Sequence, residues 1–379
     1  MTKFFLYFLL MTVMPLVASC GAAGGSGHAS SAGDTIPTKY IKNLTMVDYG
    51  DFVKADFRNP WDTTKTLQTF LLVPHDSEIP ADLPKGTVVR TPLRRSVVYT
   101  SLHNSLLEEL GASEAVVGAC DTKYIRKPSI RKRIEAGTIA DCGTSMAPNL
   151  EKILQLNPDA ILLSAFENSN DHNKVAQTGI PIIDCPDYME SSPLARAEWM
   201  KFFGRLYGKG NVADSIFEAT EKAYLETKAL IKDVKSRPVV LTDLIYGQSW
   251  GVPAANSTTG VLIEDAGGVN PFNTFKTSGS VQLSPEEVLF TAKDADVWIL
   301  KYSQDLPVTI SQLAKDNPIY SKFKAYSDGN IYGCDTQGST YFEDAAFHPH
   351  WILAEYAAMF HPELGEVAGN HHYYKKIKQ

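Results

Sequence analysis

Cysteine is scarce in this chain, five in 379 residues, and the spacing of Cys120, Cys142, Cys185 and Cys334 is not that of a zinc ribbon. Basic charge is also in deficit: 36 lysines and arginines face 43 aspartates and glutamates, a net charge of −7. That balance argues against nucleic acid as a partner. Beyond the N-terminus no apolar run approaches the roughly 20 residues that cross a bilayer. The nine histidines are scattered, and the closest functional pair, His348 and His350, is spaced i, i+2 and shares no helix face. A directly bound metal ion is therefore a rival reading only. The length suggests two domains.

The N-terminus carries the strongest local signal. A lone Lys3 precedes an apolar stretch from Phe4 to Val17, closed by Val17-Ala18-Ser19-Cys20. Charge, apolar run and small residues in that order make a secretory signal peptide, too short for a stable membrane span. The last four residues resemble the lipobox of bacterial lipoproteins. This implies cleavage after residue 19, a lipidated Cys20 as first mature residue, and an extracytoplasmic body held to the membrane by acyl chains, each buried methylene worth about 0.8 kcal/mol. Residues 20–39, rich in Gly, Ala and Ser up to Gly33, are expected to be a flexible linker. In such a compartment disulfides persist; a Cys120–Cys142 bridge and small buried thiols are both open.

Residues 40–95 read as a β-rich addition, with strands at 51–57, 66–73 and 87–90. Thereafter strands and helices alternate, the mark of a parallel sheet covered by helices. The first unit runs to residue 208. An uninterrupted helical pattern follows, placing a connecting helix within 209–237, its apolar stripe formed by Val212, Ile216, Ala219, Ala223, Leu230 and Val234. Pro238 opens a second α/β unit over 238–363. The remaining residues, 364–379, end in a polar, basic stretch expected to be a solvated tail.

The two halves share a cassette. Asn149-Leu150-Glu151-Lys152-Ile153-Leu154 precedes one strand and Ser284-Pro285-Glu286-Glu287-Val288-Leu289 another, with Glu151 and Glu286 each two positions after a helix-capping residue. The helix dipole alone accounts for such acids, and Ser284 with Glu287 fits a capping box. Together with Val97 to Gly111, Asp265-Ala266-Gly267-Gly268 and Asn330-Ile331-Tyr332, these segments resemble the ABC-importer substrate-binding proteins that carry iron complexes and corrinoids. The resemblance spans residues 95–363. It implies an α/β fold of two Rossmann-like lobes with a ligand cleft between them, joined by a long rigid helix, and a monomer that works with a permease and its ATPase. It further implies that Glu151 and Glu286 dock the permease, that no cofactor is needed, and that the chain is not an enzyme.

Open α/β sheets place ligands at the carboxyl ends of their strands. The candidate contacts there are Tyr99, His103, Tyr124, Arg126, Ser145 and Phe166 from the first lobe, and Tyr246, Trp250, Ser278, Tyr302 and Tyr341 from the second. Aromatic faces mixed with hydroxyls suit a large planar or ring-shaped chelate. Ferric siderophore, haem and vitamin B12 all stay open. One motif points elsewhere: Gly247-Gln248-Ser249-Trp250-Gly251 matches G-x-S-x-G, and Asp335 and His348 follow in triad order. A tethered serine esterase is thus a further alternative, although Pro253 and the polar run after the motif favour a loop over the helix a nucleophile elbow needs.

Overall fold

The computed structural model describes residues 33–164, 173–305, 307–368 and 372–378. The signal peptide, Cys20, the greater part of the expected linker, and Phe166 lie outside the described residues.

The β-rich addition is a five-stranded sheet, Asp34–Thr35, Leu44–Asp48, Val53–Arg58, Thr66–Pro74 and Thr87–Thr91, antiparallel except for its last pair. It begins inside the segment expected to be linker. The chain there is fixed by buried carboxylates: Glu198 accepts the backbone N–H groups of Lys39 and Tyr40 at 2.9 and 2.8 Å, and Glu190 accepts that of Asn43 at 3.0 Å. Buried backbone donors need such partners where no ladder supplies them.

The first lobe is built on an all-parallel sheet whose spatial order is Ile182–Cys185, Ala160–Ser164, Ser96–Val98, Val116–Ala119, Ala140–Asp141. Its central strands are apolar along their length because helices cover both faces. Val97, Val98, Ile161 and Leu162 are all fully buried. The helix Ser101–Glu109 starts where the Thr100 side chain accepts the His103 N–H, and Leu150–Leu156 starts where Asn149 accepts that of Lys152. The second start matches the sequence reading.

The connecting helix is Gly210–Ile231, 22 residues and about 33 Å long. Its buried face is not the expected stripe. Ala213, Phe217, Thr220, Glu221 and Tyr224 face inward, while Val212 and Leu230 are exposed. The shift follows from Glu221, whose carboxylate is buried against Lys39 Nζ at 2.8 Å and the Tyr40 hydroxyl at 2.7 Å. A polar pair supplied by a distant segment thus lets a glutamate outside the expected stripe face inward.

The second lobe has parallel strands Val240–Thr242, Val297–Tyr302 and Ile331–Asp335, with Tyr374–Lys376 antiparallel on the edge. The expected solvated tail is therefore partly a strand. Tyr373, Tyr374 and Ile377 are buried, and Glu355 accepts the N–H groups of His372, Tyr373 and Tyr374. Beside this sheet lies a small antiparallel one, Ile245–Tyr246, Ser249–Pro253 and Ser280–Leu283. An aromatic cluster fills the space within the lobe, with Trp250 centred 6.0 Å from Trp298 and 5.5 Å from both Tyr320 and Phe323.

One short segment of the second half returns to the first. The helix Tyr341–Asp344 lies against Ser101–Glu109; Asp344 accepts a hydrogen bond from Ser105 Oγ at 2.9 Å and pairs with Lys127 Nζ at 3.1 Å. Phe347 packs beside Phe203 in the first lobe's core.

Candidate functional site

A pocket of about 360 Å³ opens at the carboxyl end of the first lobe's sheet. The walls come from residues at or just past strand ends. Tyr99 and Thr100 follow Ser96–Val98, Asp121 follows Val116–Ala119, Leu163 and Ser164 end Ala160–Ser164, and Ser145 and Met146 form the tip of the hairpin Gly143–Thr144/Ala147–Pro148. Asp121 sits at a left-handed φ of 51°, a conformation aspartate tolerates better than most side chains. Its carboxylate accepts the Ser145 N–H at 3.0 Å, fixing the hairpin tip over the pocket.

The surfaces on offer are aromatic, thioether and hydroxyl. Tyr124 is 56% exposed and Met146 74% exposed, and Lys123 Nζ lies 4.7 Å from the Tyr124 ring centroid. Tyr99 is buried and lines the pocket, and its hydroxyl has no hydrogen-bond partner. Burial pushes that phenol well above its usual range, so it stays protonated and a donor. Asp121 is the one charged side chain among the described lining residues.

Of the candidate contacts, Tyr99, Tyr124 and Ser145 come together here. Asp121 and Ser164 line the pocket too; their position at or just past the end of a buried strand was the available signal. Arg126 stands on the neighbouring loop, half-buried, its N–H held by Glu343. In the second lobe Tyr246 projects from a hairpin at 90% exposure, and Ser278 is half-buried on a loop. Tyr302 lines a separate cavity with Val308, Asp335 and Tyr373. Tyr341 is half-buried, edge-on to Tyr373 and Tyr374 at 5.5 and 6.0 Å.

Two candidates are corrected. His103 is wholly buried, its Nε2 3.2 Å from Asp187 and its ring 4.7 Å from that of Phe203. It faces inward because the helix it opens lays this side on the core. Trp250 is also fully buried, donating its indole N–H to the Thr242 carbonyl at 2.9 Å. A bridge between Cys120 and Cys142 is likewise absent: both are free, buried thiols turned toward the carbonyls of Cys142 and Ala140 respectively. Burial drives the Cys142 thiol up to about 11 and Cys120 higher still.

Ser249 does not sit on a nucleophile elbow. It lies on the second strand of a hairpin and donates to Gln282 Oε1 at 3.0 Å, while Asp335 caps its own turn and His348 pairs with Glu109 at 2.8 Å. The triad order in the sequence therefore meets no triad in space. Among the described residues no group of three or more His, Cys, Asp or Glu is placed to hold a metal ion. Glu151 and Glu286 are both exposed, in the first turns of Leu150–Leu156 and Pro285–Ala292. Glu287 instead closes the capping box with Ser284.

Two α/β lobes, a connecting helix and a pocket at strand ends set the frame for comparison. Residues 97–337 match the periplasmic binding protein family. The chain belongs to that family. A lipoprotein of Methanocaldococcus jannaschii is 28% identical over 89% of this chain and 84% of its own. An Fe(3+)-citrate-binding protein of Bacillus subtilis is 26% identical over 71% of this chain and 79% of its own. Among solved structures, a periplasmic haem-binding protein of Pseudomonas aeruginosa superposes with a TM-score of 0.56 at 18% identity, covering 71% of this chain and 93% of that one. The Vibrio cholerae siderophore-binding protein with bound Fe3+–Desferal gives 0.53 at 22%, covering 70% and 99%. The fold is thus the two-lobed one of periplasmic binding proteins, and the family is one of solute binders, not enzymes.

Proposed function

We propose that this protein is the extracytoplasmic, lipid-anchored binding component of an ABC importer, taking an iron chelate, siderophore or haem, or the related corrinoid vitamin B12 to its permease. The observation that carries the reading is the pocket at the strand ends, lined by the buried Tyr99 and walled by the exposed Tyr124 and Met146. A large chelate gains wide apolar contact from such walls, and its peripheral oxygens offer the unpartnered Tyr99 phenol an acceptor on binding. The Fe(3+)-citrate relative and the lipoprotein relatives support the same cargo class and address. Cys20 supplies the anchor in this reading, and Glu151 and Glu286 register the binder on the permease.

Trp250 is too deeply buried to report contact, so the test uses Tyr124→Trp as a fluorescent reporter. Ferric citrate, ferrioxamine, haem and cobalamin are titrated in parallel; saturable quenching by one of them is expected, and silence with all four defeats the reading. Truncating Glu151 and Glu286 together to alanine leaves that titration unchanged and abolishes cellular uptake.

A further inference from the structure

Among the described residues lining the strand-end pocket, one is charged, and it is acidic. Asp121 is half-buried there; its Oδ2 accepts the Ser145 N–H at 3.0 Å, while its Oδ1 has no hydrogen-bond partner, and the carboxylate no ion pair, among the described residues. The basic side chains of the neighbouring loop do not neutralise it. Lys123 Nζ lies over the Tyr124 ring at 4.7 Å, Lys127 pairs with Asp344 at 3.1 Å, and neither they nor Arg126 line the pocket. In the second lobe Lys301 is taken by Asp243 at 2.7 Å. Asp141, which accepts from Thr122 Oγ1 and from the Gly143 N–H at 2.9 Å each, adds a second negative charge beside the hairpin.

We infer that Asp121 sets the class of cargo: an uncharged or cationic chelate whose rim carries N–H donors, amide or amine, and not one rimmed by carboxylates. The inference rests on the cargo-binding role proposed above and narrows it. An ionised carboxylate accepts hydrogen bonds and donates none, so the ligand group set against Oδ1 must be a donor. An amide meets both demands of the pocket, its N–H serving Asp121 and its carbonyl the unpartnered Tyr99 phenol. A ligand carboxylate serves only the phenol, and at Asp121 it sets acceptor against acceptor and like charge against like. Selection of this kind works by rejecting the wrong ligand as much as by holding the right one. Partial burial enlarges the penalty, because salt screens such charges less than exposed ones.

Of the four chelates named above, ferrioxamine and cobalamin carry amide N–H groups, whereas ferric citrate and haem carry free carboxylates. Isothermal titration calorimetry of each against the full chain should show ferrioxamine or cobalamin bound about tenfold or more tightly than either carboxylate chelate, the margin of one hydrogen bond to a charged group. Asp121→Asn keeps an oxygen for the Ser145 N–H and suits the left-handed φ of 51°, but removes the charge. It should shrink that preference about tenfold. Ferric citrate or haem as the tightest ligand, or a preference unmoved in the variant, overturns the inference and leaves the importer reading standing. Silence with all four defeats both. The wild-type ranking decides the matter even where the variant fails to fold.

Discussion

The carboxylate of Glu343 accepts the backbone N–H of Arg126 at 2.9 Å, joining residues 217 apart in sequence. The Lys127 N–H reaches the same oxygen at 3.4 Å. The loop beside the pocket is thereby held by the short helix that returns from the second half of the chain, and Asp344 reinforces the tie through Ser105 and Lys127. Only a small closure is expected, since the lobes are joined by a continuous helix and also by this buried clasp. Removing an acceptor from a buried donor costs about 1–3 kcal/mol. Glu343→Ala is expected to lose that much in urea unfolding, and Glu343→Gln, which keeps an oxygen, less than half as much. Equal losses would show that the hydrogen bond is not what the side chain supplies.

Tyr99 predicts a conflict between stability and binding. Its buried hydroxyl is unpartnered in the protein, and an unsatisfied polar group costs about 1–3 kcal/mol. Tyr99→Phe should therefore raise the thermal midpoint of the ligand-free protein. The same change removes a donor to the chelate, worth about 0.5–1.5 kcal/mol, so affinity falls by up to about tenfold in the Tyr124→Trp titration. A variant that gains stability with unchanged affinity places the ligand away from this phenol.

What could be read in advance followed how local its cause is. Asn149 and Ser284 fix helix starts through partners three residues away, so those boundaries were legible. Tyr99, Tyr124 and Ser145 were legible because strand ends converge in any parallel sheet. His103 and Trp250 were misplaced because distant residues, Asp187 and Trp298, bury them. The inward face of Gly210–Ile231 was hidden for the same reason: Glu221 is acceptable inside only because Lys39 and Tyr40 arrive from the N-terminus.

Acid should act through Asp187. Burial pushes its carboxyl upward, but the hydrogen bond and charge of His103, followed by Arg196, outweigh this and hold it below its ordinary value of 3.8. A depressed folded-state value means stability that is present above the unfolded pKa and lost as pH falls through the folded one. Wild-type stability should thus decline steeply below about pH 4. Asp187→Asn breaks a buried pair, costing about 3–5 kcal/mol at neutral pH, and flattens that decline. Thermal unfolding from pH 6 downward measures both; an unaltered acid slope in the variant would assign the transition to other carboxylates.

The C-terminal strand gives the sharpest contrast with a solvated tail. Tyr374 is 1% exposed, and its hydroxyl lies 3.4 Å from that of Tyr356. Its N–H donates to Glu355 at 2.8 Å. Glu355 is pushed upward by burial, and the three N–H groups from residues 372–374 oppose that shift, so the strand and the carboxylate support each other. Truncating a buried aromatic costs about 3–5 kcal/mol, and Tyr374→Ala should lose that in urea unfolding. Ending the chain before His372 should lose more, since Glu355 is then buried without its donors. Lys375 and Lys376 are exposed on the same strand, and their alanine variants should stay within about 0.5 kcal/mol of wild type. If deletion proved as mild as these lysine changes, the edge strand would contribute nothing to the lobe and the tail reading would return.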